Sequence, residues 1–245
     1  MSTAAIAATP EAIALFNSVW SSLEATAGRA ALVFPKCIFW LNGAPGAGKG
    51  TNTALIMERR GFSSGPVVVS DLLQTPEVRK IMDAGLLVGD KEVMELLFRK
   101  LTDPAFRAGV IVDGFPRTLI QCDCLRLLAA KLGEQHAAEP ARCPKPDFHV
   151  LVLDVPESVA VERQLKRGRE VIAYNAEIDA GRATGTKQEL RKTDTDPAAA
   201  AKRYRVFVES TVAPLQSLRG AFTYHHIDAG GSLKTVRAGI VKSVG

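Results

Sequence analysis

Short apolar runs alternate with longer stretches of helical periodicity from Cys37 onward. Ile38-Phe39-Trp40-Leu41, Val67-Val68-Val69, Gly109-Val110-Ile111-Val112, Phe148-His149-Val150-Leu151-Val152-Leu153 and Tyr224-His225-His226-Ile227 read as strands. All but the last are nearly continuous in apolar character, as expected of a parallel sheet covered on both faces. The segments between them, among them Asp90–Lys100 and Leu119–Leu132, repeat their apolar positions at helical spacing. The pattern predicts an α/β fold, a parallel central sheet with crossover helices on both faces.

Three stretches depart from this alternation. Residues 1 to 35 read as a helical extension ahead of a main domain spanning 36–245. Thr9-Pro10-Glu11 has the form of an N-cap with proline in the first turn, and Gly28 is a natural stop. Ile13, Phe16, Val19, Trp20 and Leu23 recur at helical spacing between them, predicting a helix whose apolar stripe docks on the main domain. A targeting or partner-binding helix is the alternative, but one Arg and two Glu make a poor match to a basic transit peptide. Residues 169–194 are polar and rich in Gly and Thr, and predict a mobile surface insertion. Residues 134–147 hold three prolines and read as a loop.

Composition narrows the class of function. The 245 residues suit one α/β domain with small insertions, and 47% hydrophobic residues are enough for a real core. The net charge of +5 is spread along the chain, which argues against nucleic acid as a partner and suits small polyanionic ligands. Cys37, Cys122, Cys124 and Cys143 form no disulfide framework, and no secretory signal is evident. The Cys122-x-Cys124 pair lacks a second pair to complete a zinc site. No apolar run is long enough to span a bilayer. The expectation is a cytoplasmic monomer, with organellar or flagellar targeting by the extension left open.

The decisive chemistry lies in Gly43-Ala44-Pro45-Gly46-Ala47-Gly48-Lys49-Gly50-Thr51, directly after an apolar strand and before a helical stretch. Glycines let several backbone N–H groups aim at one anion, the helix adds its positive end, and Lys49 reaches the outer phosphates. Gly46, Ala47, Gly48, Lys49, Gly50 and Thr51 are therefore the expected ATP cradle. Gly50 stands where a hydroxyl residue commonly holds Mg²⁺. The ion is then expected to be held by phosphates and water rather than by a direct protein ligand. Asp113, ending the Val110–Val112 run, is the acidic residue placed to orient that water shell from the outer sphere. Arg117, four residues on, can grip a phosphate bidentately. Arg163 and Arg167 lie four apart and share one helix face. Arg191 and Arg203 follow the polar insertion.

The Gly-x-Pro-Gly-x-Gly-Lys-Gly-Thr loop and Asp113-Gly114-Phe115-Pro116-Arg117-Thr118 together resemble the adenylate kinase family, over roughly Cys37 to the C-terminus. Lys80-Ile81-Met82-Asp83-Ala84-Gly85, Leu151–Pro156, Leu165–Gly168, Ala213–Leu215 and Ile227–Gly230 are similar too. The resemblance implies a P-loop nucleoside monophosphate kinase with an NMP-binding flap at about 67–97 and a lid at about 168–194. It implies Mg²⁺, ATP and AMP as ligands and two ADP as product, with a UMP or CMP kinase, or a nucleotide-binding protein of weak turnover, as alternatives. Gly114, Arg117 and Gln121 would contact AMP, Gln121 reading the adenine edge with its amide. Thr118 and Gln121 fit the adenylate pattern better than that of pyrimidine-specific relatives. Arg163 would pack on the ATP adenine, while Arg167, Arg191 and Arg203 would surround the transferring phosphoryl, Arg191 and Arg203 also meeting AMP. No Cys-x-x-Cys pair marks the zinc-bearing lid of some relatives.

The flap departs from the family. Val69 stands where a threonine hydroxyl is usual, and Gln74 where an arginine grips the AMP phosphate. Leu86 and Val88 are the other expected flap contacts, and Arg79 lies near enough in sequence to supply the missing charge. Loss of a charged phosphate contact leaves donor binding intact and weakens the acceptor side.

Overall fold

A computed structural model describes residues 8–74 and 89–245. The first element is α1, Pro10–Ala27, capped by Thr9, whose hydroxyl accepts from the Ala12 N–H, and ended by Gly28 at φ 79°. Strands β1 (Cys37–Gly43), β2 (Val67–Val68), β3 (Val110–Asp113), β4 (Asp147–Asp154) and β5 (Thr223–Asp228) form a five-stranded sheet in the order β2-β3-β1-β4-β5. Every pairing is parallel.

The crossovers are helical. Lys49–Arg60 forms α2, Val69–Leu72 the short α3, Asp90–Leu101 α4, and Leu119–Ala138 α5. Glu157–Asp179 is α6, Pro197–Phe207 α7, Ala213–Ser217 α8 and Leu233–Val244 α9. The strands alternate their side chains between two cores, as period-2 geometry requires. Ile38, Trp40, Val110, Val112, Phe148, Val150 and Val152 face α1, α4, α5 and α8. Cys37, Phe39, Leu41, Ile111, Leu151 and Leu153 face the other side, against α2, α6 and α9. β5 is the most exposed of the described strands, consistent with its more polar sequence and edge position.

α1 is part of the first core. Ala12, Phe16, Val19, Trp20 and Leu23 are buried. Ile13, read from sequence as part of that stripe, is 41% exposed, and Ala12 takes the inward position. The Asp123 carboxylate fixes the start of the helix by accepting from the Thr9 N–H at 3.0 Å.

Two loops read from sequence are more helical than expected. α5 continues to Ala138 and stops at Glu139, the residue before Pro140, where proline sterics disfavour helix. α6 runs well into the polar insertion, through Asp179. A surface helix needs good helix formers and one apolar contact, here Val171, rather than a full apolar stripe. Lys192–Asp194 adds a 3₁₀ turn after the remaining loop.

Candidate active site

The phosphate loop occupies the turn between Gly43, the last residue of the central strand, and Lys49, the first of α2. Ligands of open parallel sheets bind at this carboxyl edge. Gly46 has φ 87°, and a Cβ there would lie 2.3 Å from the Ala160 carbonyl oxygen, so the loop lies directly on the first turns of α6. Gly48 caps α2 in the left-handed conformation, with φ 88°. The Ala47 N–H donates to the Ala44 carbonyl at 3.0 Å and closes the turn. Gly50 and Thr51 lie exposed on the first turn of α2.

Lys49 is folded over its own loop. Its Nζ donates to the Gly43 carbonyl at 2.8 Å and to that of Ala44 at 3.3 Å. Burial lowers its pKa to about 8; Asp113 opposes this, and Arg117, Arg203 and Arg191 add to it. The groups that act on Lys49 therefore come from three other parts of the chain, and all were expected at the site.

Asp113 ends β3 beside β1, in register with Leu41. Burial raises its pKa, against the pull of Lys49 and Arg117. Its Oδ1 is buried with no hydrogen-bond partner, an acceptor left open in a cationic setting. Gly114 N–H donates back to the Leu41 carbonyl at 2.9 Å, and Asn42 Nδ2 donates to the Pro116 carbonyl at 2.8 Å. These bonds tie the acceptor loop to the phosphate-loop strand. Arg117 Nε donates to the Gly114 carbonyl at 2.8 Å, and burial lowers its pKa, with Asp113 opposing.

Gln121, expected at the adenine edge, is buried and engaged at both ends of its amide. Oε1 accepts from the Arg117 N–H at 2.7 Å, and Nε2 donates to Asp90 Oδ1 at 2.7 Å. Thr118 donates to the same carboxylate and caps α5. Asp90, the first residue of α4, thus holds the Thr118–Gln121 pair.

Asp194 ties Arg167 to the start of the Lys192–Asp194 turn. Asp194, 3% exposed, accepts from Arg167 Nη1 at 2.9 and 3.1 Å and from the Arg191 N–H at 3.0 Å. Gly168 allows this contact: a Cβ would lie 1.9 Å from the Asp194 carbonyl oxygen. Arg191 Nε also reaches Glu189 at 3.3 Å, and Arg203 Nη1 donates to Thr193 at 3.3 Å. Burial lowers the pKa of Arg203, and Arg191, Arg117 and Arg167 press in the same direction while Asp194 opposes. Arg163 stands apart, donating to the Ala229 and Gly231 carbonyls at 2.8 and 2.9 Å, so it joins α6 to the β5–α9 loop.

Of the residues expected in a flap, Val69 begins α3 and is buried, so it presents no polar group to a ligand. Gln74 follows α3, and its Nε2 donates to the Ser70 carbonyl at 3.4 Å. Leu86 and Val88, with Arg79 and the Lys80–Gly85 motif, lie outside the described residues. Asn42, Asp90 and Asp194 were not foreseen. The spacing of Asp194 three residues after Arg191 was a faint signal; nothing local marked Asn42 or Asp90.

The arrangement can hold a polyphosphate on the loop, a second phosphate at Arg117, and the negative charge between them under Arg167, Arg191 and Arg203. The chain is 29% identical over 209 residues to the adenylate kinase of Phocaeicola vulgatus, covering 82% of this chain and 95% of that protein. The crystal structure of a gluconokinase from Sinorhizobium meliloti 1021 superposes with a TM-score of 0.42 at 17% identity, covering 86% of this chain and 93% of that one. The family model described as adenylate kinase matches residues 41–221, from the end of β1 past α8, and the chain therefore belongs to the adenylate kinase family of nucleoside monophosphate kinases.

Proposed function

We propose that the chain transfers the γ-phosphoryl group of Mg·ATP reversibly to AMP, giving two ADP. The observation that carries this reading is the convergence on Lys49 of Asp113 from the end of β3 with Arg117, Arg191 and Arg203. Phosphoryl transfer asks for little covalent work, so positioning and charge neutralisation are most of the catalysis. Lys49 leaves the Gly43 and Ala44 carbonyls for the outer phosphate oxygens of ATP. Arg117 grips the AMP phosphate, and Arg167, Arg191 and Arg203 neutralise the charge that spreads over the moving group. Arg163 packs on the donor adenine. No side chain serves as a covalent relay, and closure of the lid keeps water from competing as acceptor.

Mg²⁺ fits this site through Asp113. The open, buried Oδ1 is suited to accept from a water of the ion's shell, and Gly50 offers no competing hydroxyl. When bound, the ion supplies charge neutralisation at the phosphates. One chain supplies every residue named, so a monomer suffices. The free thiols at Cys37, Cys122, Cys124 and Cys143 suit a reducing compartment such as the cytoplasm.

Acceptor choice rests on less. Gln121 must part from Asp90 or from the Arg117 N–H before its amide can read adenine. Val69 and Gln74 offer the AMP phosphate neither hydroxyl nor charge. This favours a raised KM for AMP and leaves another monophosphate as the second reading. A coupled assay with AMP, UMP, CMP and GMP separates them: the expected result is turnover with AMP at the highest kcat/KM. A higher value with UMP or CMP would establish the second reading, and no turnover with any acceptor despite ATP binding would sink both.

A further inference from the structure

At the opposite end of the sheet from the phosphate loop, three dissimilar ligand-type side chains meet. Cys37 begins β1 and Asp147 begins β4, paired in register, and His149 follows two residues along β4 on the same face. The Cys37 thiol, an Asp147 carboxylate oxygen and an imidazole nitrogen of His149 all lie within 4.8 Å of one another. His149 Nε2 is 3.0 Å from Asp147 Oδ2. We infer that Cys37, Asp147 and His149 form a binding site for one borderline-soft divalent cation of the zinc class, separate from the Mg²⁺ of the active site.

The donor set decides the class of ion. One sulfur, one imidazole nitrogen and one carboxylate oxygen suit Zn²⁺ at about 2.0–2.3 Å, which places such ligands roughly 3–4 Å apart. They are a poor set for Mg²⁺, which takes oxygen and keeps its waters. Asp147, with its side chain 49% exposed, opens the site to solvent and leaves room for water as a fourth ligand.

The surroundings hold the histidine in the orientation a metal needs. His149 Nδ1 lies 3.0 Å from His225 Nε2, so once a metal replaces the Nε2 proton that now faces Asp147, a proton on Nδ1 is held by His225. Phe39 stacks on the His149 ring at 4.3 Å between centroids and 5° between planes. The site also already attracts a cation. Arg60 Nη2 lies 3.6 Å from Cys37 Sγ and 3.7 Å from Asp147 Oδ2, while its Nη1 donates to the Val244 carbonyl. The guanidinium thus sits as a resident competitor that the metal displaces toward Val244. Burial lifts the thiol to about 11, so binding must expel its proton.

The test is a titration of the chelator-treated full chain with Co²⁺, then Zn²⁺, in excess Mg²⁺. The expected result is one Co²⁺ per chain with a thiolate-to-cobalt charge-transfer band, displaced by Zn²⁺ and indifferent to Mg²⁺. Cys37→Ser should abolish the band and Cys143→Ser should keep it. Loss of the His225 support through His225→Gln should weaken Zn²⁺ binding about 10- to 100-fold. Arg60→Gln should tighten it, an effect opposite to that of a damaged fold. A folded wild-type chain without the band, a band that survives Cys37→Ser, or Arg60→Gln weakening the metal would each overturn the site.

Discussion

Lys49 is the residue whose state controls the most. Its ammonium is protonated below about pH 8 and neutral above, because burial and the neighbouring guanidinium groups disfavour its charge more than Asp113 favours it. A bound triphosphate restores the charged form, so ATP binding takes up a proton once the free lysine has lost its own. The Kd for ATP should therefore weaken by up to about 10-fold per pH unit above pH 8, and the slope should vanish in Lys49→Met. Calorimetric titration across that range checks it. Stability moves the other way: the unfolded lysine holds its proton to higher pH, so burying this group penalises folding below about pH 8 and the penalty fades as pH rises from there. The phosphate loop was legible in sequence because its signal is local, a fixed spacing of glycines and one lysine. Asn42, Asp90 and Asp194 were not, because their partners lie 74, 31 and 27 residues away. A pairing over such a separation leaves no periodicity to read.

At the scale of elements, α1 shows how far patterning reaches. Both caps, Thr9 and Gly28, were correctly placed, and so was most of the apolar stripe. The stripe's first member was assigned one residue late, since Ala and Ile both fit a helical face and only packing against α4 and α5 selects between them. Phe16 stacks on Trp20 at 5.8 Å and meets Phe98 of α4 edge-on at 6.1 Å. α4 in turn starts with Asp90, the partner of Gln121, so the extension braces the helix that positions the acceptor side. Phe16→Ala should cost about 3–5 kcal/mol in chemical denaturation, whereas Ile13→Ala should stay within about 0.5 kcal/mol. Equal losses at the two positions would refute the inward assignment of Ala12. α6 adds what low apolar content did not reveal: residues read only as a mobile surface insertion stay helical to Asp179, because an exposed helix needs propensity more than burial.

At the scale of the molecule, the sheet divides the chemistry. Its carboxyl edge gathers the phosphate loop, Asp113 and the arginines, while its amino edge carries the Cys37–Asp147–His149 cluster about one strand length away. The parallel architecture was legible because each central strand is apolar on both faces. The meeting of distant arginines was legible only through family resemblance, since helix spacing alone cannot say which faces converge. No helix among the described residues is long and apolar enough to cross a membrane. The central claim is direct transfer between two nucleotides held at this edge. It is tested most directly by following ATP consumption and ADP formation with the purified chain, with and without AMP, alongside Lys49→Met. Two ADP should form per ATP consumed, only when AMP is present, and the rate should be at least about 100-fold lower in the variant. Consumption of ATP at the same rate without AMP, or transfer undiminished in Lys49→Met, would contradict it.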